Sequence, residues 1–219
     1  MDGRLHLIIG NKNYSSWSLR PWLALKLFKL PFEETVIPLD RTDTGEKILK
    51  FSPAGKVPIL LTENGRIWES LAICETLNDL HPEKKMWPSN LADRALARSI
   101  SNEMHAGFQT LRELCPMKVK ERFEGFDYSG AQKDIDRIQQ IWTDCLSKNS
   151  HRGPFLFGEP SIADCMFAPV VFRFKTYCVK MTDVCQKYVD HMFGIPSMKE
   201  WRAGAESETF SMARYEKKP

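Results

Sequence analysis

The chain has 219 residues and a formal net charge of +3, with hydrophobic residues at 42% and charged residues at 27%. This small charge, with Lys and Arg mixed among Asp and Glu, excludes the basic stripe expected of a nucleic-acid-binding protein. No apolar run approaches the roughly 20 residues that span a bilayer, and the apolar stretch near the start is too short for a signal peptide. We therefore expect a cytoplasmic protein with neither nucleic acid nor membrane as a partner.

The first eighty residues alternate between strand-like and helix-like patterns. The patterns predict strands over residues 4–9, 33–39, 57–62 and 66–68, and helices over residues 17–29, 43–51 and 69–80. Asn64-Gly65 separates the last two strands, and this pair suits a hairpin turn because it tolerates positive φ. The element order predicts a small mixed sheet with helices on its faces, since a parallel strand pair needs a crossover connection.

Two prolines and a polar run interrupt this pattern between residues 82 and 90. Beyond them strand signals nearly vanish, and the patterns predict helices over residues 91–114, 132–146, 161–177, 182–191 and 196–204. We therefore predict an α/β domain over residues 1–82, a linker over 83–90 and an all-helical domain over 91–219.

The six cysteines form no CxxC pair and no Cys/His cluster at zinc-ligand spacing. In a chain of this length without an export signal, reduced and mostly buried thiols are expected. The sequence therefore predicts neither a disulfide framework nor a metal cofactor.

A turn crowded with hydroxyl groups lies between the first predicted strand and the first predicted helix. Tyr14, Ser15 and Ser16 are consecutive there, with Arg20 in the helix beyond. One interpretation is a helix N-cap, for which serine is a preferred residue. The other is a hydroxyl placed to contact a reactive ligand, because a cap needs fewer hydroxyls than this turn supplies.

Two features of the segment from residue 55 to 77 suit a peptide-like ligand. Val57-Pro58 begins a predicted strand, and a cis bond there would leave the Val57 backbone N–H and C=O free to pair with the ligand backbone. Glu69-Ser70 begins a predicted helix, where backbone N–H groups and the Ser70 hydroxyl can bind a carboxylate while Glu69 meets an ammonium group. A plain helix terminus, with Glu69 favoured by the helix dipole, is the alternative.

In this chain order, the motifs resemble those of the glutathione S-transferase family. KVP at residues 56–58 followed by ESLAI at 69–73 is similar to the theta and zeta classes, where a KVP or QVP strand precedes an ESxAI or QSLAI helix start. SSWSLR at residues 15–20 resembles the zeta-class motif SSCSWR, with Trp17 where that class has cysteine.

A further match lies in the helical half of the chain. GEPSIAD at residues 158–164 resembles the family's capping box in a core helix, in which Ser161 and Asp164 satisfy each other's backbone N–H groups. That motif concerns folding rather than catalysis. The resemblance thus covers both halves, roughly residues 4–205.

The resemblance implies a thioredoxin-like α/β domain followed by an all-helical domain, assembled as a homodimer. It also implies a transferase that takes glutathione as co-substrate and conjugates it to a hydrophobic electrophile. Within glutathione, the γ-glutamyl carboxylate would meet Ser70, the ammonium group Glu69, and the cysteinyl backbone Val57-Pro58. The glycyl carboxylate needs a cation, for which Lys56 is the first candidate and Arg41 the second.

The resemblance also implies that a hydroxyl activates the glutathione thiol. The thiolate is the nucleophile, and a hydrogen bond to sulfur beside a helix N-terminus stabilises that anion. Counting back from Arg20 places the theta-class serine on Ser16 and the zeta-class serine on Ser15. Tyr14 would mimic the classes that use tyrosine, although their tyrosine lies nearer the first strand. We rank Ser16 first, Ser15 second and Tyr14 third, and we expect Arg20 to be a buried arginine that bridges the domains.

The second substrate is expected between the domains, facing the predicted helix over residues 91–114. Met104, Phe108 and Arg112 are spaced i, i+4, i+8, so we predict that they share one helix face and line this pocket together with Tyr14. The alternative is that a methionine and aromatic stripe belongs to the core.

The end of this predicted helix bears on the same pocket. Residues 115–117 end the helix and are candidates to cap the pocket. His105 lies off the stripe, and we expect a surface or hydrogen-bonded histidine there rather than a catalytic base.

Two alternatives to conjugation stay open. The first is a glutathione-dependent cis-trans isomerase of zeta type, although Trp17 departs from that class. The second is a non-catalytic binding module with the same fold; such modules often lack the ligand residues, which are all present here at positions 56–58, 69 and 70. A thioredoxin-like redox enzyme is disfavoured because no cysteine precedes Cys74.

Overall fold

The computed structural model describes residues 5–216. The N-terminal half forms one four-stranded sheet of order β2-β1-β3-β4, built from β1 (Leu5–Gly10), β2 (Phe32–Ile37), β3 (Ile59–Thr62) and β4 (Gly65–Trp68). Strands β1 and β2 are parallel, whereas β3 is antiparallel to both β1 and β4. Three helices accompany the sheet: α1 (Ser16–Leu27), α2 (Thr44–Leu49) and α3 (Ser70–Leu80). The predicted mixed sheet with helices is confirmed.

Strand β1 is buried on both faces, which explains its almost continuous apolar sequence. Leu7 and Ile9 face the large core that includes α1 and α3, whereas Ile8 packs with Ile48 of α2 and Ile59 of β3 on the other face. The alternation of side chains along the strand therefore fixes which helix covers which face. It also places the end of β1 beside the start of α1.

The C-terminal half is helical. It consists of α4 (Leu91–Ala106), α5 (Gln109–Leu114), α6 (Gln132–Asn149), α7 (Ile162–Thr176), α8 (Asp183–Gly194), α9 (Pro196–Ser207) and the single turn α10 (Ala213–Glu216). Helix α7 is buried along nearly its whole length. Its start is fixed by Asp164, whose carboxylate accepts the backbone N–H and the hydroxyl of Ser161, each at 2.9 Å. The predicted capping box is present.

The prediction of one helix over residues 91–114 is wrong. Helix α4 ends at Ala106, and α5 begins at Gln109 after Phe108 adopts a left-handed backbone with φ of 60°. Gly107 lies so close to the preceding turn that an added Cβ would be 2.9 Å from the Glu103 carbonyl oxygen. The apolar spacing continues across the break, so the hydrophobic period alone does not reveal it.

The two halves share one continuous hydrophobic core. Helix α1 packs against α3 of its own half and against α7 and α9 of the helical half. The loops at the start of α1 therefore lie at the boundary between the halves. The limits of the two domains stay a prediction. At the start of the predicted linker, Pro82–Lys84 forms one turn of 3-10 helix.

Candidate functional site

Two adjoining cavities lie at the boundary between the sheet half and the helical half. The main cavity, of about 540 Å³, is lined on the sheet side by Tyr14, Ser15 and Ser16. The side cavity, of about 250 Å³, is lined by Pro58, Trp68, Glu69 and Ser70 together with three residues shared with the main cavity. The shared residues are Trp17, Lys56 and Val57.

The hydroxyl-rich turn lies between β1 and α1, as predicted. The Asn11 carbonyl accepts the backbone N–H groups of Tyr14, at 3.2 Å, and Ser15, at 2.8 Å, which folds the chain back so that all three hydroxyl residues reach the main cavity. Ser16 is the first residue of α1, where the positive end of the helix dipole favours an anion.

The two serines differ in what their hydroxyls already bind. The Ser15 hydroxyl donates to Ser18 Oγ at 2.7 Å, and Ser18 Oγ also accepts the Gly10 N–H at 3.1 Å. Within residues 5–216 the Ser16 hydroxyl has no hydrogen-bond partner, although the residue is only 7% exposed. Ser16 therefore keeps its proton available for a ligand in the main cavity, whereas Ser15 has committed its own.

Apart from Arg41, the predicted binding residues of the sheet half line the side cavity. The Val57-Pro58 peptide bond is cis, and Val57 lines both cavities. Ser70 is fully buried as the first residue of α3. Glu69 precedes it with φ of 68°, a conformation uncommon outside glycine and often found at functional sites. The side cavity thus combines a buried hydroxyl at a helix N-terminus, a carboxylate and a backbone edge.

The two predicted cations lie differently with respect to these cavities. Lys56 is exposed and lines both. Arg41 is exposed on the loop before α2, where its backbone N–H bonds to Thr44 Oγ1 at 3.0 Å, and it is not among the described residues that line either cavity. Its neighbours Asp40 and Thr44 line the main cavity instead.

Trp17 lines both cavities, and the guanidinium groups of two arginines lie over its ring. The Arg20 Cζ atom lies 4.3 Å from the Trp17 ring centroid, and the Arg112 Cζ atom lies 4.7 Å from it, distances at which cation–π attraction is effective. Burial lowers the pKa of Arg20 well below its usual value, and the nearby Arg112 and Arg173 act in the same direction. The Trp17 ring therefore offsets part of the cost of burying the positive charges of Arg20 and Arg112.

Arg20 bridges the two halves, as predicted. It is fully buried, donates from Nη1 to Ser70 Oγ at 3.5 Å and from Nη2 to the Met104 carbonyl at 3.4 Å. Its Nε has no partner in the described part of the chain. The guanidinium thus connects the start of α3 in the sheet half to the end of α4 in the helical half.

The predicted stripe of Met104, Phe108 and Arg112 does not form one face, because the helix breaks between its members. Met104 is fully buried and Phe108 is 7% exposed, both in the core. Of the three, Arg112 lines the main cavity, held by a hydrogen bond from Nε to the Gly107 carbonyl at 2.9 Å and by a contact with the Met104 carbonyl. The assignment of Met104 and Phe108 to the pocket is therefore wrong.

His105 is half-buried at the end of α4, beside the side cavity. Its Nε2 lies 3.7 Å from Glu69 Oε2, and its ring meets the edge of Trp17 at a centroid distance of 5.2 Å. Nδ1 is buried and has no partner among residues 5–216. Burial, followed by the charge of Arg20, lowers the pKa of His105. The expectation of a surface or hydrogen-bonded histidine is therefore wrong, since Nδ1 is buried without a partner.

The helical wall of the main cavity contains residues that the sequence did not indicate. Pro116 and Met117, from the segment predicted to cap the pocket, are joined there by Arg173, Met212 and Tyr215. Arg173 is 4% exposed and donates from Nε to the Cys115 carbonyl at 2.9 Å, while its Nη1 is buried without a partner within the described ranges. Burial, reinforced by the neighbouring Arg112, lowers the pKa of Arg173 to about 10.

None of the helices within residues 5–216 combines the length and apolar character that crossing a bilayer requires. No group of three or more His, Cys, Asp or Glu in the same range is placed to hold a metal ion.

The fold defines a protein with a thioredoxin-like α/β half followed by a helical half, and both halves line the main cavity. Comparison with known families gives the particular assignment. Residues 14–80 match the model of the glutathione S-transferase N-terminal domain, and residues 103–206 match that of the C-terminal domain. The chain belongs to the glutathione S-transferase family, a family of glutathione-dependent enzymes, as the sequence motifs predicted.

Individual relatives include both isomerases and transferases. The chain is 30% identical over 159 residues to a probable maleylacetoacetate isomerase of Caenorhabditis elegans, covering 72% of each protein. It is also 30% identical over 161 residues to glutathione S-transferase 1 of Dianthus caryophyllus, again covering 72% of each. A glutathione transferase homolog from Burkholderia, solved with bound glutathione, has a TM-score of 0.72 at 22% identity over 94% of this chain and 100% of that one, which shows the shared fold.

Proposed function

We propose that the protein is a glutathione transferase in which the Ser16 hydroxyl stabilises the glutathione thiolate for attack on an electrophile. The observation that carries this proposal is the Ser16 hydroxyl at the first turn of α1, which lines the main cavity and has no hydrogen-bond partner within residues 5–216. Ser15 cannot donate to sulfur without giving up its 2.7 Å bond to Ser18.

The side cavity supplies groups that match the ends of the tripeptide. The γ-glutamyl carboxylate meets the start of α3 at Ser70, where free helix N–H groups favour anions. The γ-glutamyl ammonium meets Glu69, and the cysteinyl backbone pairs with Val57. Lys56 receives the glycyl carboxylate, with Arg41 as the second cation. This orientation directs the thiol from the side cavity past Trp17 toward Ser16.

The energy required of the turn is modest. A free thiol has a pKa of about 8.5, and lowering it by about two units needs roughly 2.7 kcal/mol of preferential stabilisation of the anion. A hydrogen bond to a charged group contributes about 1.5–3 kcal/mol, and a helix N-terminus adds about 0.3–1 kcal/mol. The range of these two contributions together includes the stabilisation required, so Ser16 at the start of α1 is able to supply it.

Substitution of each serine tests the proposal. Ser16→Ala is expected to lower kcat with a model aryl halide by about 10–100-fold, the scale of the lost hydrogen bond, with a smaller effect on glutathione affinity measured by calorimetry. Ser15→Ala is the matched variant and is expected to retain most of the activity. Unchanged rates in both variants would refute the serine mechanism, and absence of glutathione binding would favour a non-catalytic module.

The second candidate is glutathione-dependent cis-trans isomerisation of an acidic substrate. Arg112 and Arg173 both line the main cavity, and among the described residues their guanidinium groups donate to backbone carbonyls rather than to carboxylates. Buried charges without a counterion are costly, so this wall suits a substrate that brings its own carboxylate. Turnover of a cis-enedione acid without consumption of glutathione would identify the isomerase.

We also propose that the protein is a cytoplasmic homodimer. Large apolar side chains are exposed on three neighbouring elements of the fold, namely Trp68 of β4, Leu80 of α3, and Leu91 and Leu96 of α4. Exposed apolar side chains grouped in this way are typical of a protein interface. All six cysteines are free thiols, in keeping with a reducing compartment.

A further inference from the structure

The loop of residues 11–13, here called the anchor loop, leads directly into the hydroxyl-rich turn and is held from the helical half. The Glu208 carboxylate accepts both of its consecutive N–H groups, from Lys12 to Oε1 at 2.5 Å and from Asn13 to Oε2 at 3.1 Å. Trp201 donates from Nε1 to the Lys12 carbonyl at 2.9 Å. A residue just after α9 thus satisfies two backbone donors that lie nearly two hundred positions earlier in the chain.

The segment after α5 completes this arrangement. Asn13 accepts the backbone N–H of Val119 on its carbonyl at 3.2 Å and that of Lys120 on Oδ1 at 2.9 Å. The Lys120 ammonium in turn donates to the Glu208 carbonyl at 2.5 Å. The anchor loop therefore has hydrogen bonds on both sides. The Glu208 carboxylate accepts two of them, and the Glu208 carbonyl also accepts the Lys120 ammonium.

Close packing supports the same contact. Helix α9 approaches the anchor loop so closely that a Cβ on Gly204 would lie 2.7 Å from Lys12 Cδ. The Lys12 ammonium continues beyond this point to Glu34 Oε1, at 2.7 Å. The loop is thus fixed by α9 as well as by Glu208.

Beyond Glu208 the chain reaches the wall of the main cavity; residues 208–216 are here called the C-terminal strap. Met212 is 1% exposed and lines the main cavity, and Tyr215 lines it as well. The Tyr215 ring stacks on Tyr14 with centroids 5.6 Å apart. The carboxylate of Glu208 therefore fixes the first residue of the strap to the loop that carries Tyr14 and the two serines.

We propose that Glu208 is a positioning residue for thiol activation, which holds the anchor loop so that Ser16 faces the sulfur and holds the strap so that Met212 and Tyr215 close the second-substrate pocket. This proposal rests on the proposed function, in which Ser16 acts on the thiol. Both carboxylate oxygens are needed, because each accepts a different backbone N–H.

Glu208→Gln tests this role because the amide keeps the size of the side chain but offers only one acceptor oxygen. One anchor-loop N–H then faces an NH2 group and loses its partner. Glu206→Gln is the matched control, since Glu206 lies two residues earlier, is exposed and contacts Arg202 at 3.5 Å in an i,i+4 pair. Glu208→Asp keeps the charge and both oxygens.

The readout is the pH profile of kcat/KM for a model aryl halide at saturating glutathione. The enzyme–glutathione complex is then the species that meets the aryl halide, so the acidic limb reports ionisation of the bound thiol. Glu208→Gln is expected to move this limb to higher pH by about half a unit and to lower kcat/KM at neutral pH by about tenfold, the scale of one hydrogen bond to a charged group. In Glu208→Gln the ratio of kcat/KM for small aryl halides to kcat/KM for bulky ones should also move closer to one, because the strap that closes the pocket is held less firmly. Glu206→Gln should match the unmodified protein, and Glu208→Asp should fall between.

Hydrogen exchange at the Lys12 and Asn13 amides gives a second readout that needs no activity. Faster exchange is expected in Glu208→Gln and not in Glu206→Gln. An active Glu208→Gln enzyme with an unchanged acidic limb would overturn the role of Glu208 alone. If the unmodified protein fails to conjugate glutathione at all, the proposed function fails, and the assigned role in thiol activation fails with it even where exchange is faster.

Discussion

Replacement of Arg173 by methionine tests whether this residue recognises an acidic substrate, because the change is expected to affect activity without a large effect on the free energy of unfolding. The guanidinium makes one hydrogen bond, from Nε to the Cys115 carbonyl at 2.9 Å, and leaves Nη1 buried and free of partners within residues 5–216. Methionine is similar in length and adapts to irregular space. The substitution therefore removes a cation from the main cavity while keeping much of the volume.

The expected effect on activity depends on the charge of the substrate. A hydrogen bond from a charged donor to a substrate carboxylate contributes about 1.5–3 kcal/mol, which corresponds to about 10–150-fold in kcat/KM. Arg173→Met should cause this loss with a cis-enedione acid and should change kcat/KM with a neutral aryl halide by less than about threefold.

The expected effect on stability is small because two terms oppose each other. The Cys115 carbonyl loses its donor, at a cost of about 1–3 kcal/mol. Removal of a buried guanidinium without a counterion relieves a desolvation penalty of several kcal/mol. The free energy of unfolding, measured by urea titration, should therefore stay within about 2 kcal/mol of the unmodified value or rise.

The control is Arg122→Met, at an exposed arginine 3.1 Å from Glu124 on the surface. This variant should leave kcat/KM with both substrates unchanged, and its urea unfolding curve should match that of the unmodified protein. Equal losses of kcat/KM with the acidic and the neutral substrate would show that Arg173 supports the cavity wall rather than binding an anion. No loss with the acid would refute anion recognition at this position.

Two further predictions concern the fold and the assembly. Asp164→Ala should lower the free energy of unfolding by about 3–5 kcal/mol, because the buried carboxylate accepts four hydrogen bonds. Urea titration measures this loss, with Asp136→Ala at an exposed position as the control. A loss below about 1 kcal/mol would contradict the prediction. Leu96→Asp should convert the dimer to monomers in sedimentation, because Leu96 is 37% exposed on the proposed interface. Val184→Asp, at a residue 42% exposed on α8, should leave the dimer intact; dissociation by both variants or by neither would argue against this interface.

The sequence indicated the sheet half in some detail because its signals are local. Alternating apolar residues, the Asn64-Gly65 turn and the motif residues at 56–58 and 69–70 each specify structure within a few positions. These short motifs also indicated most of the side cavity, which is lined by residues at the starts of α1 and α3, just before β3 and at the end of β4. The break between α4 and α5 was missed because Phe108 keeps the helical spacing while its backbone leaves the helical region.

The helical wall of the main cavity could not be predicted in the same way. Arg173 lies in a helix that is buried almost throughout, so no periodic pattern distinguishes the one face that meets the cavity. Glu208 and Tyr215 follow the last predicted helix, and their contacts with the anchor loop and Tyr14 join residues about two hundred positions apart. Such contacts depend on how the two halves dock, which local composition does not encode.

The choice between the two serines shows how structure sharpens a motif. Sequence comparison placed both Ser15 and Ser16 at the thiol, one for each class of relative. Hydrogen bonding separates them, because Ser15 donates to Ser18 and that hydroxyl also receives the Gly10 N–H at the end of β1. Ser15 is thus linked through Ser18 to the end of β1, and this is why we propose Ser16 as the group that contacts the thiol.

A crystal structure with glutathione bound is the most direct test of thiol activation by Ser16. We expect the sulfur within hydrogen-bond distance of Ser16 Oγ, the γ-glutamyl carboxylate at the start of α3 beside Ser70, and Ser15 still bonded to Ser18. Sulfur held by Ser15 or Tyr14, with Ser16 turned away, would contradict the mechanism.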